Sequence, residues 1–266
     1  MIRIGDVNDP RIAAYRQVRE RDLVGRQGLF VAEGEVVLRM LTRSPLMETV
    51  SWLIAEKRWE GLSELAADLS GDVPVYLASQ SVMDAVAGFP IHRGILALGR
   101  RRIVATGHGL LASLPDRALV LAACGIANHD NMGGLFRNAA AFGVDAVLVD
   151  SDCCDPLYRK AIRVSVGAAL LTPYARLERG EDLIALLRGA GFSLVAMSPQ
   201  GSTQLADLQG SSRTAILVGA EGPGLSQAYL EPSQTVAIRM ATGFDSLNLS
   251  TTTGIVLHHL KFVARD

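Results

Sequence analysis

An α/β protein built in two parts is what the sequence predicts, on three observations. Short apolar runs alternate with helix-like segments along nearly the whole chain, the alternation breaks once at RRRIVATGHGLLASLPDR (100–117), and no apolar run approaches the roughly 18 residues a membrane span needs. With 266 residues, 49% of them hydrophobic, there is apolar surface enough for one large core or two smaller ones.

The elements follow in order. A basic helix is expected near 10–22, where Ile12, Tyr15 and Val18 or Arg19 recur at helical spacing. Then come the strand LFVAEG, the helix VVLRML, and the pieces TVSWLI, WEGLSELAADL, VPVYLA, SVMDAVA and GILALG, which together read as a small α/β domain over 1–106. Charge, glycines and Pro115 mark 107–117 as a linker. From 118 to 266 a larger domain is expected. Its β-like runs ALVLAAC, VDAVLVD, FSLVAMS, RTAILVG and QTVAIRM lack polar alternation, the pattern of strands buried on both faces of a mostly parallel sheet, and SLNLSTTTGIVLHHLKFV closes the chain as a helix.

Composition narrows the function classes. A net charge of −1 argues against a strongly cationic nucleic-acid binder, so any RNA footprint must be local. One candidate is the start, where Arg11, Arg16, Arg19, Arg21 and Arg26 outnumber Glu20 and Asp22, although a solvated helix face is the favoured reading of them. The opening segment shows neither a signal h-region nor a transit pattern, and the expected location is the cytoplasm. Cys124, Cys153 and Cys154 form no CxxC pair, and the five histidines lack zinc spacing, so reduced cysteines and no metal site are expected. Gly107, Gly109 and Ala112 fit the spacing GxGxx(G/A). That dinucleotide reading is rejected, because Pro115 and the strand at 118 leave too little chain for the helix of a βαβ unit.

Three loops sit just after apolar runs, where open α/β sheets bind ligands. The first carries Asn128, Asp130, Asn131, Gly133 and Gly134 and leads into a helical LFRNAAAFG with Arg137 in its first turns. In the second, AILVGAEGPGLS, glycines 219, 222 and 224 around Glu221 allow close backbone approach. The third, IRMATGFDSLNLSTTTG, places Ser246, Asn248 and Ser250 at the start of the last helix, beside its free N–H groups. Each alone is ordinary turn and cap chemistry; their order and content together are specific.

Together they resemble the SpoU (TrmH-type) RNA 2′-O-ribose methyltransferases of the SPOUT superfamily, over essentially the whole chain. Asn131, Gly133 and Arg137 resemble the family's NxGxxxR signature; Gly219, Glu221, Gly222, Gly224, Leu225 and Ser226 resemble GxEGxGLS; Ser246 to Ser250 resemble SLNVS. IRVSVGAA (162–169) is similar to a segment with Ser-x-Gly, and FVAEGEVVLRML with GFPIHRGILAL resembles the L30e-like RNA-binding domain that many members carry at the N-terminus.

The resemblance implies S-adenosyl-L-methionine as cofactor, a trefoil knot in the C-terminal domain, a homodimer through that domain, and ribosomal or transfer RNA as substrate. It implies a cofactor pocket lined by Gly219, Glu221, Gly222, Ile238, Met240 and Leu247. Arg137 is implied to activate the ribose hydroxyl. Because a guanidinium stays protonated, its expected part is to grip an RNA phosphate and stabilise the developing alkoxide. Asn131 is expected to hold its loop or bond the ribose, Glu221 to anchor the cofactor loop or orient Arg137, and Ser246 and Asn248 to align substrate or cap the last helix. Two positions depart from the family: Asn138 follows the arginine where Thr is usual, and Arg239 follows Ile238 where Pro is usual. Two other readings stay open: a catalytically silent RNA-binding or assembly protein, and an α/β enzyme for a small nucleotide, although no GxxxxGK(S/T) loop is present.

Overall fold

The computed structural model describes residues 1–16, 20–69 and 71–264. Met1–Ile103 with Asp155–Leu171 form one compact unit; Val104–Cys154 with the chain from Thr172 onward form another.

The first unit contains β1 (Ile2–Ile4), α1 (Glu20–Gln27), β2 (Leu29–Glu33), α2 (Glu35–Arg43), β3 (Met47–Ala55), α3 (Ser63–Ala66), β4 (Val75–Ala78), α4 (Gln80–Ala87) and β5 (Ile95–Arg101). Its sheet runs β1-β4-β3-β5-β2, parallel from β1 to β3 and antiparallel across β5. Leu53 at its centre pairs with Tyr76 on one side and Leu96 on the other. The expected basic helix takes another form. Asp9 accepts from the Arg11 amide and Pro10 starts a 3₁₀ helix, Pro10–Tyr15, which ends where Arg16 turns extended (ψ 141°). Tyr15 is buried, its hydroxyl donating to the Ser51 carbonyl at 2.9 Å. Of the basic residues there, Arg11 pairs with Asp9, Arg16 bonds Asn8 and Arg26 pairs with Asp22. Val18 and Arg19 lie outside the described residues, as do the side chains of Glu20 and Arg21.

The chain continues through α5 (Gly107–Ala112), β6 (Ala118–Cys124), α6 (His129–Ala141) and β7 (Ala146–Val149), then α7 (Arg159–Val164), which belongs to the first unit. There Arg159 Nε donates to buried Glu33 at 2.9 Å, Ser44 Oγ donates to the Leu170 carbonyl at 2.6 Å, and Gly167 (φ 84°) lies against Met40. The IRVSVGAA segment is thus fastened within the first unit. α5 occupies much of the expected linker. Thr106 accepts from the Gly109 amide at its N-terminus, and a Cβ on Gly107 would lie 2.7 Å from Leu177, so these glycines serve helix capping and packing.

The second unit resumes with β8 (Tyr174–Arg176), α8 (Leu183–Gly189), β9 (Ser193–Met197), β10 (Thr203–Gln204), β11 (Arg213–Gly219), α9 (Gln227–Leu230), β12 (Gln234–Ala237) and α10 (Leu249–His258), which passes into a π turn, His259–Val263. The sheet is wholly parallel, in the order β10-β12-β9-β11-β6-β7-β8. Every residue of β6 is buried, as a strand covered on both faces requires. One face packs Val120, Ala122, Leu148, Leu194 and Leu217 against Leu110 and Leu111 of α5 and Leu183 and Leu187 of α8. β8 and β10, with three and two residues, are too short to show a sequence pattern. In register, Gly219 lies beside Cys124 and Val236 beside Met197, so the ends of β6, β9, β11 and β12 open on one edge.

Candidate active site

Each of the three loops is built by a specific local device. After β6, Asn128 caps α6, its Oδ1 accepting from the amides of Asp130 (2.8 Å) and Asn131 (3.3 Å), and Asn131 is drawn in until it is 4% exposed. After β11 the chain folds back on itself, Gly224 N donating to the Ala220 carbonyl at 3.0 Å. A Cβ on Gly219 would lie 2.4 Å from the Gly224 carbonyl carbon, so only glycine fits there, and Gly222 takes φ 88°. After β12, Asn248 caps α10 through Oδ1, accepting from Ser250 N (2.8 Å) and Thr251 N (3.4 Å).

The same Asn248 side chain brings the loops together. Its Nδ2 donates to Glu221 Oε1 at 3.0 Å and to Asn131 Oδ1 at 3.3 Å. One amide therefore caps the last helix and ties the second loop to the first. Behind it α6 and α10 touch closely. A Cβ on Gly134 would meet Ser250 Oγ and Cβ, Gly254 lies against Asn138, and Asn138 Nδ2 donates to the Ser250 carbonyl at 2.5 Å. The departure at Asn138 is thus a bond between two of the motifs.

A cavity of about 710 Å³ opens where these loops meet, in the size range of small-molecule sites. Gly219, Glu221, Gly222, Ile238, Met240 and Leu247 line it, with Ser246 and Asn248 at the start of α10. Its lining includes the carboxylates of Glu221 and Asp245 and no lysine, arginine or histidine. That charge suits a cationic ligand. At Gly222 the space a Cβ would take is open, which leaves backbone accessible to a ligand, whereas at Gly219 it is filled by Gly224.

Arg137 is placed differently. It follows Asn131 by six residues, about 9 Å along the axis and about 120° around it on a regular helix. It is exposed, outside the cavity lining, and makes no hydrogen bond or ion pair among the described residues. Arg239 is exposed as well, between the lining residues Ile238 and Met240. One wall was not singled out from sequence: Met197, Ser198, Pro199 and Gln200 at the end of β9. The signal was present in the run FSLVAMSPQG, a strand ending in a Pro-containing turn; a Cβ on Gly201 would lie 2.4 Å from the Val236 carbonyl carbon, which brings this turn against β12.

Comparison with known proteins agrees with this architecture. Residues 118–258 match the model of the SpoU rRNA Methylase family. An uncharacterized tRNA/rRNA methyltransferase of Mycobacterium bovis is 38% identical over 95% of this chain and 89% of its own length, and one from Synechocystis is 28% identical over 97% and 93%. Among solved structures, an RNA 2′-O ribose methyltransferase superposes with a TM-score of 0.75 at 26% identity, covering 97% of each chain. An AdoMet-bound rRNA methyltransferase from Sinorhizobium meliloti reaches 0.80 at 21% identity, covering 96% of this chain and 95% of its own. With its family match spanning the whole parallel-sheet core and the three loops joined at Asn248, the chain belongs to the SpoU rRNA Methylase family.

Proposed function

We propose that the protein is an RNA methyltransferase that carries the methyl group of S-adenosyl-L-methionine to a ribose 2′-hydroxyl of ribosomal or transfer RNA. The observation that carries this reading is the cavity lined, among the described residues, by two carboxylates and no cation, beside which Asn248 ties Glu221 to Asn131. When bound, S-adenosyl-L-methionine supplies an electrophilic methyl group on a sulfonium. Its positive charge matches the carboxylates of Glu221 and Asp245, and its size matches the cavity. Gly219, Glu221, Gly222, Ile238, Met240 and Leu247 hold it; Met197 to Gln200 form the opposite wall.

The chain's task is to lower the barrier for a very weak acid. Arg137 keeps its proton, so it acts as a donor: its guanidinium, with no partner inside the described chain, grips an RNA phosphate and stabilises the oxyanion while the hydroxyl proton leaves to a phosphate oxygen or water. The cofactor would supply the methyl carbon to the 2′-oxygen and keep the electron pair of the broken carbon–sulfur bond as a neutral thioether. Asn131 and Glu221, both held by Asn248, fix the floor on which the ribose is aligned, and alignment alone removes several kcal/mol of such a barrier. Ser246 borders the cavity beside them and orients the substrate.

The homodimer belongs to this reading, supported by the exposed apolar side chains Ile255, Phe262 and Val263 at the C-terminal helix. So do the trefoil threading, the division of labour between residues 1–106 as RNA-binding domain and 118–266 as catalytic domain, and action in the cytoplasm; among the described residues no helix is long and apolar enough to cross a membrane. The test is transfer from labelled S-adenosyl-L-methionine to separated ribosomal and transfer RNA from a strain lacking the gene, with nucleoside analysis. A 2′-O-methylated nucleoside in one fraction, lost with Arg137→Ala while cofactor binding persists, is the expected result. Near-normal turnover by Arg137→Ala would remove the role given to it. A chain that binds RNA but neither binds the cofactor nor transfers a methyl group would be the catalytically silent protein instead.

A further inference from the structure

The loop between β12 and α10 does two things at once. Ile238, Met240, Asp245, Ser246 and Leu247 line the cavity, whereas Arg239 and the residues from Ala241 to Phe244 do not. Phe244 N donates to the Ala241 carbonyl at 3.2 Å, closing a tight turn with Gly243 at φ 90°, a conformation that glycine adopts without strain. The turn carries Phe244 out of the cavity and leaves it 75% exposed. Phe262, also exposed, has ring contacts with Phe142 and His258, but Phe244 has none among the described residues. Arg239, on the same loop, is exposed and keeps all its donors unengaged among the described residues. An aromatic ring and a guanidinium thus stand exposed on one short loop that also lines the ligand cavity.

We propose that this rim loop is an RNA subsite, in which the Phe244 ring stacks on a nucleobase next to the reacting ribose and Arg239 donates to a backbone phosphate. The inference rests on RNA being the substrate and deepens that reading. Single-stranded RNA is held by this pair of chemistries, an aromatic face for a splayed base and a planar cation for the phosphate. In a chain with net charge −1 and a cavity lined by carboxylates, Arg239 adds local attraction for a polyanion at the rim, beside that given to Arg137. It also separates the tasks: the cavity takes the cofactor, the rim takes the RNA.

Equilibrium binding tests this without turnover, using the full chain, saturating S-adenosyl-L-homocysteine, which has no methyl group to transfer, and labelled ribosomal and transfer RNA fractions over a salt series. Phe244→Ala is expected to weaken binding about tenfold, the loss typical of one stacked base, and Phe244→Trp to restore it. Arg239→Ala is expected to lower the slope of log affinity against log salt by about one, with Arg239→Lys keeping the slope. Variants with wild-type affinity and slope would overturn the subsite and leave the proposed function to be judged by Arg137→Ala turnover. If Phe244→Ala changes the sedimentation of the protein alone and not its RNA affinity, the ring belongs to an interface between copies, and the subsite is wrong. A wild-type chain that binds neither RNA fraction would overturn the subsite together with the reading it rests on.

Discussion

Both ends of the Asn248 amide are engaged, and the two ends do different work. Oδ1 closes the first turn of α10; Nδ2 holds Glu221 and Asn131. Asn248→Asp keeps the acceptor and sets a carboxylate against Glu221, so thermal unfolding should stay near wild type while cofactor affinity, measured by titration calorimetry, falls about tenfold or more. Asn248→Ala should lose the cap as well, about 1 kcal/mol of stability. Gly219 is constrained by backbone atoms that cannot move aside, so Gly219→Ala should abolish cofactor binding with little change in circular dichroism. The thiols follow from burial. Desolvation first, and then the Asp150 carboxylate, push Cys124 and Cys153 well above the usual thiol range, so at neutral pH neither holds appreciable thiolate. Alkylation of the native protein should therefore mark half-buried Cys154 ahead of both, and denaturant should abolish the difference.

The contact of α6 with α10 sets the relation between the first and third motifs. An exposed helix gains about 0.5–1 kcal/mol from Gly→Ala. At Gly134 the sign reverses, because the added methyl meets the Ser250 side chain and forces the helices apart. Gly134→Ala should lower the melting temperature, and adding Ser250→Gly should return part of the loss. Asn138→Ala removes a bond between the same helices, with an expected cost of about 1 kcal/mol. NxGxxxR and SLNLS were visible as separate patterns. Their partnership was not, since Gly134 and Ser250 are far apart in the chain and only the crossing of two helices makes the small residue necessary.

On the scale of the whole molecule, the chain does not divide at one point. Asp155–Leu171 lies inside the stretch matched by the family model and still belongs, by its contacts, to the first unit. Buried Glu33 is the anchor, with Arg159 Nε at 2.9 Å and Arg163 at 3.8 Å. Glu33 is buried while Arg159 and Arg163 keep part of their side chains in water, so removing the carboxylate should cost about 1–2 kcal/mol. Hydrogen exchange in Glu33→Ala should rise together in 29–43 and 155–171 and stay unchanged in β11. Faster exchange in one segment alone would show that the two do not form one cooperative unit. A single boundary near 106 was the natural reading because composition changes there and nowhere near 155, where the chain moves between units without a linker signature.

What the sequence determined by itself was local: the alternation that makes an α/β protein, the buried character of the strands, the cap at Asn248, and the glycines that let 219–224 turn. These depend on residues close in the chain, whose spacing carries the physics. Tertiary structure alone decided the strand order, the short edge strands β8 and β10, the wall at Met197–Gln200 and the assignment of α7 to the first unit. It also decided that Asn131 joins Asn248 and Glu221 while Arg137, six residues on, faces solvent. The physical reason is that such pairings depend on which apolar faces cover one another, and no period in the sequence encodes a neighbour more than 100 residues away.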